Sequence, residues 1–304
     1  MNMKNETEIR EYKNQYVNIS NTLIRARERT SMLESKIEVL AIHHMAQNVM
    51  LKEKKDIQGN LYVIKYVELS AIEIKKLMGK DYGEIYSDIY RAAMALKEKL
   101  YIYEDRDAKI FVMKSMYEDV SYKNGILCIE FNPDMEEYYT NLKENYTKLS
   151  LPIFFSFHKN GGLQLYKLLK SFAYNLPEID LSIAQEDLPG YAIYFDLTEL
   201  KMVLGYIDIS QEKLRKEGNK KKPDFEKMAR EEINPQYRRW SDFSTRVITP
   251  GVKEVNEISD IYIADMKKKL TGKGGKVTGL TFFIQHNKNF YANKKSKKTG
   301  EHTN

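Results

Sequence analysis

Apolar and polar positions fall into one order of elements that occurs twice along the chain. After a polar lead, Leu33, Ile37, Leu40, Ala41 and Met45 share one helical face, which predicts a helix from about 31 to 50. Ser31-Met32-Leu33-Glu34 fits a capping box at its start, with the serine accepting from a first-turn amide. Asp56 to Asn60 predicts a turn, and the aromatic and β-branched run Leu61 to Val67 a strand. Glu73 to Met78 reads as a short helix stopped by Gly79, with Lys80-Asp81-Tyr82-Gly83 as the following turn. On the next helix Ile89, Ala93, Leu96 and Leu100 line up for burial, leaving Asp88, Tyr90, Arg91 and Lys97 outward. Ile110 to Met116 and Ile126 to Phe131 are expected to pair as a hairpin across Tyr122-Lys123-Asn124-Gly125, because Asn-Gly favours a two-residue turn.

Asn132-Pro133-Asp134 breaks the strand and begins a linking helix through Leu142. Leu151 to Leu176 then predicts two helical pieces separated by Asn160-Gly161-Gly162, with Leu165, Leu168, Leu169 and Phe172 buried. After that the first pattern returns. Glu199-Leu200-Lys201-Met202-Val203-Leu204-Gly205 repeats Glu73-Ile74-Lys75-Lys76-Leu77-Met78-Gly79, and Trp240-Ser241-Asp242-Phe243 repeats Tyr86-Ser87-Asp88-Ile89. An aromatic strand, Tyr191 to Phe195, precedes the second copy, and alternating segments turning at Thr271 to Gly275 follow it. The order strand, helix, turn, helix, two-stranded wing is the plan of a winged helix. The expected fold is therefore α+β, two tandem winged-helix domains related by an internal pseudo-repeat.

The copies differ in one respect. Gly79 and Tyr86 stand 7 positions apart whereas Gly205 and Trp240 stand 35 apart, so the second copy carries an insertion of about 28 residues, lysine-rich around Asn219 to Pro223, within 208–236.

At 304 residues, 42% hydrophobic and 30% charged, the chain has the balance of two soluble globular domains. Its one cysteine, Cys128, sits in an apolar run and excludes an intrachain disulfide and a thiolate zinc site; a buried, reduced thiol is expected. The polar start predicts no signal peptide, and no apolar run is long enough to span a bilayer. A net charge of +6 says little by itself, but basic residues cluster between Lys213 and Arg239 and again from Lys267 to Lys298.

These clusters give the second of the paired helices a nucleic-acid chemistry. With Ser241 as cap and Asp242 in the first turn, Phe243, Val247 and Ile248 face inward, leaving Arg238, Arg239, Ser241, Asp242, Thr245, Arg246 and Thr249 to meet phosphates and base edges. The first copy presents Ser87, Tyr90 and Arg91, a poorer surface that either binds DNA more weakly or serves dimerisation. Lys273 and Lys276 lie in the wing turn, placed to follow the backbone beside a groove. That turn lacks the Lys-Ser/Thr pair of a phosphate-binding loop, since Val277 follows Lys276. His43 and His44 are adjacent on a helix and His158, His286 and His302 are isolated, so metal-ligand spacing is absent. No catalytic residue, metal or cofactor is expected.

Three stretches resemble the family of plasmid replication initiators with two winged-helix domains: Ser20-Asn21-Thr22-Leu23-Ile24-Arg25-Ala26, Leu163-Gln164-Leu165-Tyr166-Lys167-Leu168-Leu169-Lys170, and Trp240 to Asn256 with an internal Thr249-Pro250-Gly251. The proline removes an amide donor and crowds the carbonyl of Arg246, so the helix is expected to bend or break near Thr249. The likeness covers about residues 18 to 287. Departures are Gln164, where family members often carry arginine, and the length of the lysine-rich insertion.

The resemblance implies an iteron-binding, theta-type initiator that binds direct repeats of double-stranded DNA at an origin, opens an adjacent A·T-rich segment and recruits host initiation and helicase-loading proteins in a bacterial cytoplasm. It also implies a homodimer, in equilibrium with monomer, that represses its own gene. The expected organisation is a flexible N-terminus at 1–17, a first winged helix at 18–148 for dimerisation and DNA binding, a second at 149–288 as the main reader, and a basic disordered tail at 289–304. Two modules on one face of a duplex should span about two turns, roughly 20 bp. The rivals are a winged-helix transcriptional repressor without a replication role and a tyrosine-dependent nicking enzyme.

Overall fold

The computed structural model describes residues 15–25, 30–78, 85–105, 110–140, 142–207, 220, 227–228, 237–273 and 275–292. Outside them lie Gly79 and the turn at 80–83, nearly all of the insertion at 208–236, Gly274, the lead before residue 15 and the tail from residue 293. Two units divide the chain, Met1–Ser156 and Phe157–Asn304.

In the first unit, Tyr16 and Val17, expected in a flexible lead, instead begin strand β1 (Tyr16–Ser20). It pairs antiparallel with β8 (Tyr146–Ser150). The turn α1 (Asn21–Ile24) starts under the Ser20 hydroxyl. Helix α2 (Met32–Gln47) starts where the capping serine predicts, the Ser31 hydroxyl accepting from the Glu34 amide at 3.2 Å. One apolar face understates its burial: Val39, Ile42 and His43 are covered as well as Ile37, Leu40, Ala41 and Met45.

The helix stops at Gln47 because Met50 opens a strand that the sequence pattern hides. Strand β2 (Met50–Lys55) is an edge strand of lysine and glutamate, and Lys52 and Lys54 both pair with the buried carboxylate of Glu130. It turns through Asp56, whose carboxylate accepts from the amides of Gln58 and Asn60 at 2.9 and 2.8 Å, into β3 (Leu61–Ser70). The helices α3 (Ala71–Met78) and α4 (Ile85–Lys97) follow. On α4 the buried positions are Ile89, Ala92 and Leu96; Ala93 is only half-buried, and Leu100 has already left the helix for β4 (Leu100–Asp105).

The expected hairpin needs correcting. Strand β5 (Ile110–Ser115) pairs with β4, and the Asn-Gly turn joins β6 (Tyr117–Lys123) to β7 (Ile126–Phe131). Asn124 and Gly125 have φ of 53° and 81°, the double positive that a two-residue turn demands. The turn was legible, but the segment Tyr117 to Lys123 has too little apolar alternation to announce a strand. The sheet runs β2-β3-β7-β6. Cys128 on β7 is a free, half-buried thiol, less covered than its apolar neighbours predict. Beyond β7 the expected linking helix is a 3₁₀ segment, Pro133–Tyr138, ending short of Leu142.

Two buried lysines tie this unit together. Lys99 reaches both carboxylate oxygens of Glu38 at 2.8 Å, and the Tyr117 hydroxyl donates to the same carboxylate at 3.1 Å. Lys36 donates to the carbonyls of Leu77 and Phe155 at 3.0 and 2.9 Å, linking α2 to the end of α3 and to α5 (Leu151–Ser156). The helix α5, read from sequence as the start of the second domain, belongs to the first unit.

The second unit begins with α6 (Asn160–Lys170). Asn160, Gly161 and Gly162 form its first turn rather than a break between helices, the break falling at 157–159. Leu165, Leu168 and Leu169 are buried, and Phe172 lies half-buried past the helix end. Strand β9 (Tyr191–Asp196) leads into α7 (Leu197–Val203), capped by Asp196 accepting from the Thr198 amide at 2.8 Å. Gly205, with φ of 78°, ends the helix while the Tyr206 amide reaches back to the Lys201 carbonyl at 2.8 Å.

Three consecutive segments then form one long helix, α8: α-helical Trp240–Phe243, π-helical Ser244–Ile248 and α-helical Thr249–Ile258. The wing follows, β10 (Ile261–Thr271) and β11 (Lys276–His286), in a sheet ordered β10-β11-β9. Leu280, Phe282 and Ile284 face the core. Asn289 to Ala292, expected in a disordered tail, lie in a helical turn at 288–292. Strand, two helices and wing recur in both units, so the fold is α+β with two winged helices.

Candidate nucleic-acid interface

What fixes α8 is apolar packing on one side and close backbone contact on another. Phe243 and Ile248 are fully buried and Val247 nearly so. The Phe243 ring is met edge-on by Tyr206 at 5.6 Å and by Trp240 at 6.4 Å, with the Lys201 ammonium 5.1 Å away. Burial, then the neighbouring Tyr237 phenol, pushes the Tyr206 hydroxyl up to about 12. Burial pulls Lys201 down to about 8.

Pro250 does not break the helix. The preceding turn widens into a π segment in which the Thr249 amide bonds to the Ser244 carbonyl, five residues back, and the helix resumes with the proline in its first turn. The widened turn is followed by Gly251, where an added Cβ would lie 3.3 Å from the Gly161 backbone. A Cβ on Gly162 would overlap the Glu254 carboxylate. The glycines of α6 are thus there to let α8 approach. Glu254, itself buried, accepts from the His158 and Lys159 amides at 2.8 and 3.2 Å and so caps α6, while burial raises its carboxyl above the ordinary range.

The opposite side of α8 is open. Arg238, Arg239, Ser241, Thr245, Arg246 and Thr249 are exposed, Asp242 is half-buried, and Lys253 continues the stripe one turn on. The start of the helix departs from the expected one: its cap is Arg239, without a side-chain cap bond, and Ser241 stands inside the first turn. Ser241 is therefore an exposed residue of the first turn and does not close the helix end.

Beside this stripe stands the wing. Lys273 and Lys276 are exposed in and next to its turn, where Gly272 and Gly275 take φ of 72° and 60°. Three lysines that the motif reading did not single out are on β10. Lys268 lies over the Trp240 ring at 5.6 Å, joining the wing to the start of α8, while Lys267 and Lys269 lie over Phe283 and Tyr194 at 4.8 and 5.0 Å. Their only sequence signal is the unbroken Lys267-Lys268-Lys269 run.

In the first unit Ser87, Tyr90 and Arg91 are exposed on α4, and the Arg91 guanidinium is engaged by Asp88. These residues stay on their own unit, and Arg91 is the one arginine among them.

Among the described residues no three or more His, Cys, Asp or Glu are grouped to hold a metal ion, and no helix is long and apolar enough to cross a membrane.

Residues 16–170 match a family model described as initiator replication protein, WH1, and residues 223–284 one described as initiator Rep protein, WH2. A search of the curated proteins finds no match. Among solved structures the chain is similar to the Pi initiator protein in complex with iteron DNA, at TM-score 0.58 and 14% identity, over 90% of this chain and 98% of that one. Domains 2 and 3 of RctB align at TM-score 0.34 and 12% identity, over 84% and 99% of the two chains.

Proposed function

The chain belongs to the initiator replication protein family, and on that premise we propose that it starts plasmid replication by binding directly repeated duplex sites in an origin. The observation that carries this reading is the exposed stripe Ser241, Thr245, Arg246 and Thr249 on a helix held from behind by Phe243, Val247 and Ile248. Hydroxyls and a guanidinium on a rigid helix are what base edges in a major groove require, and the wing lysines add phosphate contacts. The Pi initiator, of the same fold, was crystallised with iteron DNA, which supports duplex repeats as the ligand class.

In this reading Arg238, Arg239, Ser241, Asp242, Thr245, Arg246, Thr249, Lys273 and Lys276 form the main reader. Ser87, Tyr90 and Arg91 form a second one on the unit that also dimerises. The monomer opens an A·T-rich segment and recruits host initiation and helicase-loading proteins in the bacterial cytoplasm, and the dimer represses the gene. The chain itself catalyses no step.

Footprinting of the purified protein on the DNA upstream of its gene tests the proposal. Several protected direct repeats of about 20 bp beside an A·T-rich tract are expected. On one such repeat Arg246→Ala should weaken binding about tenfold to a hundredfold. Unchanged affinity and specificity would remove α8 from the interface.

A further inference from the structure

The two reading helices carry different chemistry. On α8 the exposed positions from Ser241 to Lys253 are serine, threonine, arginine and lysine. On α4 they include Tyr86, Tyr90 and Met94, at four-residue spacing and 61%, 55% and 47% exposed. Ser87, Arg91 and Lys97 lie exposed beside them. Arg91 is turned along its own helix, its guanidinium donating to the Asp88 carboxylate and, at 3.4 Å, to the Ser87 carbonyl. So α4 offers carbon along the line where α8 offers charge.

Ile89, Ala92 and Leu96 pin the far side of α4 into its unit, which keeps the aromatic and thioether groups presented. The cations at the edges of this helix are engaged within the unit, Arg91 by the Asp88 carboxylate and Lys97 by the Glu118 carbonyl with Asp119 3.6 Å away, which leaves carbon as the chemistry α4 presents. In the major groove, the base-edge group that matches carbon is the C5 methyl of thymine; the other bases present only donors and acceptors there. We infer that Tyr86, Tyr90 and Met94 read thymine methyls. The repeat is then chemically unequal, with thymines under α4 and guanine under Arg246 on α8. This assignment rests on the proposed binding of a duplex repeat, and it gives the first unit a specificity of its own.

The test uses the full chain and a duplex carrying one protected repeat, in which each thymine in turn is replaced by deoxyuridine, a change that removes only the methyl. At two or three clustered thymines the wild type should bind about fourfold more weakly per replacement, the worth of one buried carbon. Tyr90→Ala and Met94→Ala, both at exposed positions, should bind the two duplexes alike at the thymine each contacts, while Tyr90→Phe keeps the penalty. No penalty at any thymine, or a penalty undiminished in both alanine variants, overturns the inference. So does dissociation of a dimer by Tyr90→Ala without thymine dependence, which would assign this face to a second copy of the chain. If Arg246→Ala still weakens binding while deoxyuridine changes nothing, only the role of α4 falls; if no repeat is protected, the parent reading falls with it.

Discussion

Lys201 donates its buried ammonium to the backbone carbonyl of Arg238 at 3.3 Å, one residue before the cap of α8. The contact joins α7 to the entry of the reading helix, and the Phe243 ring closes over the same ammonium. A charge there orients the start of α8 at the cost of its own desolvation.

That cost has a pH signature. The ammonium titrates near 8 in the folded protein, against an ordinary 10.5, so between those values the unfolded chain holds a proton that the folded one has released. Stability should therefore rise with pH from about 8 to about 10.5. Lys201→Met should lack this rise. Denaturant unfolding of both proteins across pH 7 to 10.5 measures the difference, and parallel profiles would refute it.

Gly162 is irreplaceable for a steric reason. A methyl there meets the Glu254 carboxylate, which is committed to the His158 and Lys159 amides and cannot retreat without uncapping α6. Gly162→Ala should destabilise the second unit by about 1–3 kcal/mol and weaken DNA binding, since α8 must shift outward. Thermal unfolding and repeat binding check this together; an unchanged melting temperature would mean the helices have room to spare.

Lys99→Met should cost about 3–5 kcal/mol, because it leaves the Glu38 carboxylate buried with only the Tyr117 hydroxyl among the three groups of this network. Replacing both partners, Lys99→Met with Glu38→Leu, should restore most of the loss. A double variant as unstable as the single one would show that packing, not the uncompensated charge, is responsible.

Salt separates positioning from reading. With about six phosphates neutralised, log affinity should fall against log salt with a slope near −5. Lys273→Ala with Lys276→Ala should lower the magnitude of that slope by about 2 and leave the preferred sequence unchanged. A slope that does not move would take the wing turn out of the interface.

Much of this architecture was legible from local pattern. The Ser31 cap, the Asn124-Gly125 turn, the repeated strand and helix order, and the inward triad Phe243, Val247 and Ile248 each depend on residues within a few positions of one another. The exposed stripe on α8 follows from the same periodicity. Local pattern is silent where apolar alternation is weak: the charged strand β2 and the polar strand β6 carry no such signal, so the partner of β7 across the Asn-Gly turn is set by the sheet and not by the sequence nearby.

The sequence by itself determined the two-part winged-helix plan, its order of elements and the polar side of each reading helix, because periodicity and turn chemistry act over short stretches. The tertiary structure alone decided what lies opposite each element. It made Gly161, Gly162 and Gly251 a helix crossing, buried Lys201 beneath Arg238, and set Lys268 over Trp240. Such contacts join residues tens of positions apart, and only the packing of elements against each other brings them within reach.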